Sequence, residues 1–203
     1  MAVSRVLQKT AAHVLMALPL LGLMYLALTQ QLGPDPAEHL MKELGFYGAC
    51  ILWLTLAITP LKKLTGIASF MAYRRLLGLW SFFYLTLHLL VFVVLWAGLN
   101  VAVLLEEVSQ RPYIIVGTIA WLLLVPLTIT STRKARRSMG RRWQSLHRLV
   151  YIIAVLGLVH ITWIAKLDFT QPALFGAVLL VLFGLRIKFK KNRQSAESLS
   201  TLP

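Results

Sequence analysis

The sequence of 203 residues is poor in charge and contains a single cysteine, Cys50. Charged residues make up 14% of it, whereas a typical soluble domain carries about 25%. One cysteine can form neither an intrachain disulfide nor a cysteine metal cluster. A glycine-rich loop of the kind that cradles phosphates is also missing. Hydrophobic residues, in contrast, reach 58%, more than one aqueous core would bury, so the composition predicts an integral membrane protein.

Six apolar segments approach the length of about 20 residues that a helix needs to cross a bilayer. They are Ala11–Gln30, Gly45–Leu64, Leu76–Gly98, Tyr113–Thr132, Leu146–Ala165 and Pro172–Ile187. They predict an all-α bundle of six transmembrane helices within residues 1–191, followed by a polar cytoplasmic tail, residues 192–203, without regular structure. The first segment is long and no small-residue cleavage site follows it, so we expect a retained helix rather than a signal peptide.

The basic residues lie almost entirely on one side of this arrangement. The net charge is +14, and 18 of the 21 Lys and Arg residues fall at the two ends and in the even-numbered connections. The odd-numbered connections hold the other three, Lys42, Arg111 and Lys166, with six of the seven acids. Basic residues favour the cytoplasmic side, which predicts that both termini are cytoplasmic. Since the charge is divided between apolar segments, we expect contact with the lipid bilayer and no nucleic-acid partner.

Two of the five histidines, His88 and His160, lie inside apolar segments. An ionisable residue within a span is usually functional, although a single one can simply bond to a neighbouring helix. His88 lies about 21 Å along its helix from Arg74, and His160 lies about 20 Å from His147. Two imidazoles at one depth are suited to ligate a haem iron from both sides. Neither segment holds a carboxylate or thiolate that would complete the shell of a bare metal ion.

Some details of such a site remain open at this point. His160 follows His147 by thirteen positions, so in a regular α-helix the two side chains would point to different faces. We therefore expect a bulge or kink in this segment, with Gly157 as the candidate position. The second ring nitrogen of each ligand needs an acceptor, either a hydroxyl such as Thr86 or Thr162 or a backbone carbonyl.

The basic inner loop, residues 133–142, is explained largely by topology. A second role for cationic side chains near the inner face is to pair with haem propionates or a flavin phosphate. Arg75 and Arg148 flank the two candidate haem helices and are the expected propionate partners.

Two other functions fit an apolar bundle with buried histidines. One is a small transporter whose histidines bind protons or substrate. Inverted repeats and paired broken helices, which are typical of transporters, are not evident in the segments. The other is a scaffold that anchors a periplasmic enzyme, which would tolerate the loss of both histidines.

Several stretches resemble the MsrQ (YedZ) family, the haem-binding membrane subunits of bacterial periplasmic methionine sulfoxide reductase systems. The chain also looks like a minimal member of the ferric-reductase-like transmembrane group. The matching stretches are YRRLLGLW at 73–80, LHL at 87–89, RPY at 111–113, TST at 130–132 and GRRWQSLHRLVY at 140–151, with His160 following. The resemblance covers nearly the whole chain.

The resemblance implies a bacterial inner-membrane cytochrome in which His88 and His160 ligate haem b. His147 matches half of a second histidine pair, and Arg74 occupies the position of its partner. One haem is therefore expected, and a second one with His147 and an unusual or absent second ligand remains open.

The resemblance also implies an electron path. Electrons would come from the quinol pool or a reduced flavin, with FMN attributed to this subunit. They would pass to MsrP, a periplasmic molybdopterin enzyme that reduces methionine sulfoxide and so repairs oxidised proteins. The sulfoxide chemistry would then belong to the partner, while this chain transfers electrons.

Overall fold

The computed structural model describes the backbone of residues 2–199 and the side chains of residues 6–188. Within this part of the chain all regular elements are helices, as predicted. They are α1 (Ala2–Leu28), α2 (Pro36–Thr65), α3 (Arg74–Leu90), α4 (Val101–Gln110), α5 (Pro112–Ile129), α6 (Arg133–Met139), α7 (Arg141–His147), α8 (Leu149–Ile164) and α9 (Thr170–Leu199). A short 3₁₀ helix, Ala68–Ala72, precedes α3, and a π-helical turn, Val91–Trp96, extends it.

Six helical stretches are long and apolar enough to cross a membrane, which confirms the predicted number of spans. They are Val6–Leu28, Pro36–Thr65, Arg74–Trp96, Pro112–Ile129, Arg141–Ile164 and Thr170–Lys188. The side of the membrane on which the termini lie stays a prediction.

Several boundaries differ from those predicted, and two of the differences have a clear local cause. α2 begins at Pro36 rather than Gly45, because the Asp35 carboxylate accepts the Glu38 N–H at 2.9 Å and Pro36 suits the first helical position. α9 continues to Leu199, through most of the segment predicted to be an irregular polar tail, and residues 200–203 lie outside the described residues. Most of these tail residues are compatible with a helix, and the tail contains no proline before Pro203.

α2 is the central helix of the bundle. Of its apolar window 56% is buried, whereas no other span exceeds 22%. It packs most extensively against α3, and α5 packs in the same way against α8, so the molecule contains two tightly packed helix pairs. Leu52 and Leu56 of α2 join Leu124, Ile153 and Leu179 in one core cluster. The remaining apolar surface is largely exposed, as expected of helices solvated by lipid.

α1 lies against α3 and accounts for two polar side chains there. The fully buried Tyr84 hydroxyl donates to the Met16 carbonyl at 2.7 Å and accepts the Leu20 N–H at 3.1 Å. The Trp80 indole donates to His13 at 3.0 Å, so His13 serves helix packing.

The fifth span changes its helical register at Arg148, which corrects the position near Gly157 that the spacing suggested. Arg148 N–H bonds to the Ser145 carbonyl and Tyr151 N–H bonds to the Arg148 carbonyl, both across three residues. Such turns rotate the chain further per residue than an α-helix does. α8 then runs unbroken through Gly157, so the irregularity in the fifth span lies at the start of α8 and not near Gly157.

Candidate functional site

The structure brings His88 of α3 and His160 of α8 together. Their ring centres are 6.2 Å apart and their planes are nearly perpendicular, at 88°. Both rings line a cavity of about 820 Å³ between α2, α3, α5 and α8. The two histidines predicted to share one depth therefore face the same space.

A backbone carbonyl fixes each imidazole. Nδ1 of His88 donates to the Met41 carbonyl and Nδ1 of His160 donates to the Tyr113 carbonyl, each at 2.7 Å. A carbonyl can only accept, so Nδ1 carries the proton and Nε2 of the neutral ring keeps its lone pair. This tautomer is the one that a ligating histidine uses, with Nε2 toward the metal.

The hydroxyls considered as alternative acceptors are engaged elsewhere. Thr86 donates to the Phe82 carbonyl and Thr162 to the Leu158 carbonyl, each at 2.7 Å within its own helix. Thr86 also accepts the indole N–H of Trp121 at 3.0 Å.

Glycines make room for both rings. A Cβ on Gly45 would lie 3.0 Å from Nδ1 of His88, and a Cβ on Gly117 would lie 2.7 Å from Cε1 of His160. Each glycine stands one helical turn after the residue whose carbonyl holds the ring. Neither glycine was predicted to belong to the site. The sequence signal for this arrangement is the identical separation of 47 residues between each histidine and the residue whose carbonyl it bonds, Met41 in one pair and Tyr113 in the other.

The cavity lining combines buried apolar residues with a few charged side chains. Leu52, Trp53, Leu124 and Ile153 are its buried members, and Trp53 is held by a 2.9 Å bond from its indole to the Phe175 carbonyl. The cationic residues among its lining are Lys42, Arg111 and Lys166, and Glu38 is also part of the lining. The charge pattern of the sequence assigns these three cations to the odd-numbered connections but predicts no role for them in the site.

His147 occupies a separate position, at the end of α7 and outside the cavity lining. Its Nε2 and the Thr130 hydroxyl are 3.1 Å apart, and its ring stacks on Trp143 with centres 3.9 Å apart. Arg74 lies near enough for its charge to interact with both His147 and Arg186.

Arg75 and Arg148, the expected propionate partners, are exposed. Although both are within the described part of the chain, neither lines the cavity between His88 and His160.

The residues present fit a haem. A metal–nitrogen bond is about 2 Å, and a ring nitrogen lies about 1 Å from its ring centre, so two imidazoles on opposite sides of one metal have centres about 6 Å apart. The observed 6.2 Å matches this arrangement. The cavity volume falls in the range of about 300–1,000 Å³ that is usual for sites of organic ligands. Among the described residues, no three His, Cys, Asp or Glu side chains gather to hold a bare metal ion.

Comparison with known proteins places the chain in a family. Residues 44–158 match the family described as ferric reductase like transmembrane component. None of the solved structures matches the chain.

Three relatives that match over most of their length share one name, protein-methionine-sulfoxide reductase heme-binding subunit MsrQ. The protein from Ralstonia nicotianae is 42% identical over 182 residues, covering 88% of this chain and 84% of the relative. Those from Xanthomonas campestris pv. campestris and Xanthomonas axonopodis pv. citri are each 43% identical, covering 91% and 85% of this chain and 88% and 79% of the relatives. The chain thus belongs to the ferric-reductase-like transmembrane family and, within it, to the MsrQ subunits.

Proposed function

We propose that this chain is a b-type cytochrome of the bacterial inner membrane that supplies electrons to a periplasmic methionine sulfoxide reductase. The observation that carries the proposal is the pair His88 and His160, whose rings face each other across the cavity at the separation that one shared metal requires. The relatives, named as heme-binding subunits, support the same cofactor.

When bound, haem would supply reversible one-electron transfer. The chain itself would hold the haem, set its reduction potential and keep water away from it. His88 and His160 are the residues that would hold the haem iron, and their bonds to the Met41 and Tyr113 carbonyls would raise the basicity of the imidazoles. More basic ligands stabilise the oxidised iron and lower its reduction potential.

The cavity walls keep water away from the proposed ligands. Leu52, Leu124 and Ile153 are nine-tenths or more buried, and Trp121 and Trp53 add flat aromatic surface. A low dielectric around the iron is one of the means by which a protein sets a haem potential. Because the rings are fixed by backbone atoms, little reorganisation should accompany a change in charge.

The inner cluster around His147 is a separate candidate site. Arg74 supplies the positive charge there in place of a second histidine, so a second bis-histidine haem is not part of the proposal. His147 remains available for an inner haem with an unusual ligand. A quinol or FMN donor would have to deliver electrons on this side if the termini are cytoplasmic, and no site for either is assigned.

The chemistry at the sulfoxide is assigned to the partner, MsrP, a molybdopterin subunit in the periplasm. The cavity lining includes Arg111 and Lys166, which belong to the connections predicted to be periplasmic. Electrons would therefore leave from the end of the molecule at which the two histidines lie.

Alanine variants of the two ligands test the proposal. Since each imidazole supplies one of two axial bonds, His88→Ala and His160→Ala should each lose most of the bound haem while still inserting in the membrane. Haem per protein is measured by a pyridine haemochrome assay on detergent-purified protein. His147→Ala should have a smaller or separate effect.

His39→Ala is the matched control, because His39 lies at the start of α2 outside the cavity lining. It should keep the wild-type haem content. A normal haem content in His88→Ala or His160→Ala would reject that ligand. Full function in both variants would favour a scaffold, and a wild-type protein without haem would favour a transporter.

A further inference from the structure

Three cations from three different parts of the chain line the cavity. Lys42 follows Met41 on α2, Arg111 directly precedes α5, and Lys166 follows α8. They are also the three basic residues that the charge pattern separates from the other 18. The three residues are distant in sequence and lie in connections where basic residues are otherwise rare. They nevertheless line the same cavity.

The opposite end of the cavity is apolar. Trp53 lies eleven residues from Lys42 on α2, about 16 Å along an ideal helix, and is almost completely buried. Its neighbours there include Leu124 and Ile153. A ligand that fills this cavity should have a flat apolar body and an anionic edge turned toward the three cations.

The charged side chains in the cavity lining have a net positive charge. The lining holds three cations and one carboxylate, Glu38. Glu38 holds Lys42 at 2.6 Å and Glu107 holds Arg111 at 2.8 Å, and both pairs span one helical turn. No ion pair of Lys166 occurs among the described residues. Two of the cations are thus oriented in advance and the third keeps its full charge for a ligand.

Resting on the proposed function, we propose that Lys42, Arg111 and Lys166 bind the propionate carboxylates of the haem. The propionates would then face the part of the cavity that these three cations line. Arg75 and Arg148, the partners suggested by sequence, lie about 20 Å and about 18 Å from His88 and His160 along ideal helices. They are exposed and do not line this cavity.

Neutral variants test the assignment on the full-length, detergent-purified protein. Lys42→Gln, Arg111→Gln and Lys166→Gln each remove a charge-assisted bond, so haem transfer to apomyoglobin should become roughly tenfold faster for each. The midpoint potential should also fall, because less positive charge then opposes the oxidised iron. Arg75→Gln and Arg148→Gln are the controls and should change neither quantity.

Haem dimethyl ester, which lacks the anionic carboxylates, provides the decisive comparison. In the wild-type protein the ester should leave faster than haem, and the three Gln variants should not accelerate its loss further. Equal loss rates for haem and ester in the wild type would overturn the inference, even if a variant fails to fold. The inference would also be overturned if the three Gln variants accelerate the loss of the ester. The same holds if only Arg75→Gln or Arg148→Gln accelerates the loss of haem. A wild-type protein that binds neither compound refutes the proposed function itself, and this inference with it.

Discussion

At the scale of the residue, the site depends on two glycines as much as on two histidines. Gly45 and Gly117 let an imidazole approach the backbone of the neighbouring helix, where its Nδ1 bonds to a carbonyl one turn away. A methyl group on Gly117 would lie 2.7 and 2.8 Å from two atoms of His160, closer than real contacts allow. The ring is held by its own bond, so it cannot yield without losing its orientation.

Gly117→Ala should therefore displace His160 and reduce bound haem to a small fraction of the wild-type amount. Overpacking of this kind costs about 1–3 kcal/mol. The haem-to-protein ratio and the thermal unfolding of the purified protein measure both effects.

Gly176→Ala is the matched control, since its Cβ would meet Leu158 at an ordinary 3.7 Å. It should bind haem normally. A Gly117→Ala protein with full haem content and an unchanged spectrum would contradict the account of this glycine.

The sequence predicted the paired histidines and offered a backbone carbonyl as one possible acceptor, but it did not indicate which carbonyls or the two glycines. The depths of His88 and His160 follow from the position of the charges and the rise of a helix. The roles of Met41, Gly45 and Gly117 depend on the rotation of each helix about its axis. Spans that are apolar on all faces, as α5 is, carry no periodic signal of which face turns inward.

At the scale of the element, the two spans that carry the histidines begin differently. α3 is regular from Arg74 to His88, and fourteen residues return nearly to the same face. The fifth span is regular only after Arg148, where hydrogen bonds across three residues interrupt the α-helix. The spacing predicted an irregularity in this span but not its position, which is Arg148 and not Gly157.

Arg74→His is expected to place an imidazole at the inner end of α3, on the face that carries His88. His147, whose charge environment already includes Arg74, would then have a partner for a second haem. The haem-to-protein ratio should rise above the wild-type value when measured by pyridine haemochrome on purified protein.

Arg75→His places the same side chain one position further round the helix and should leave the ratio unchanged. If Arg74→His also leaves it unchanged, α3 and α7 do not present these positions to a common site.

At the scale of the whole molecule, two helix pairs of similar design enclose the cavity. α2 with α3 and α5 with α8 each combine a carbonyl, a glycine one turn later and a histidine on the partner helix. The number of spans was predictable from hydropathy alone. The similarity of the two pairs was not, because it rests on three residues in each and not on a repeated sequence.

The orientation of the bundle remains a prediction, and thiol labelling tests it. In a Cys50→Ala background, Ser109→Cys lies on the predicted periplasmic side and Ser138→Cys on the cytoplasmic side, and both positions are exposed. A membrane-impermeant maleimide added to intact cells with a permeabilised outer membrane should label only the former. Lysed cells, in which both should react, provide the control. Labelling of Ser138→Cys in intact cells would reverse the topology and the direction of electron transfer.

The most direct test of the central claim is an absorbance spectrum of the detergent-purified protein, oxidised and then reduced with dithionite. With His88 and His160 on one iron, the account predicts a Soret band and, on reduction, the sharp bands of a low-spin b-type haem. A pyridine haemochrome assay on the same sample gives the number of haems per chain. A colourless protein from cells with ample haem would contradict the account.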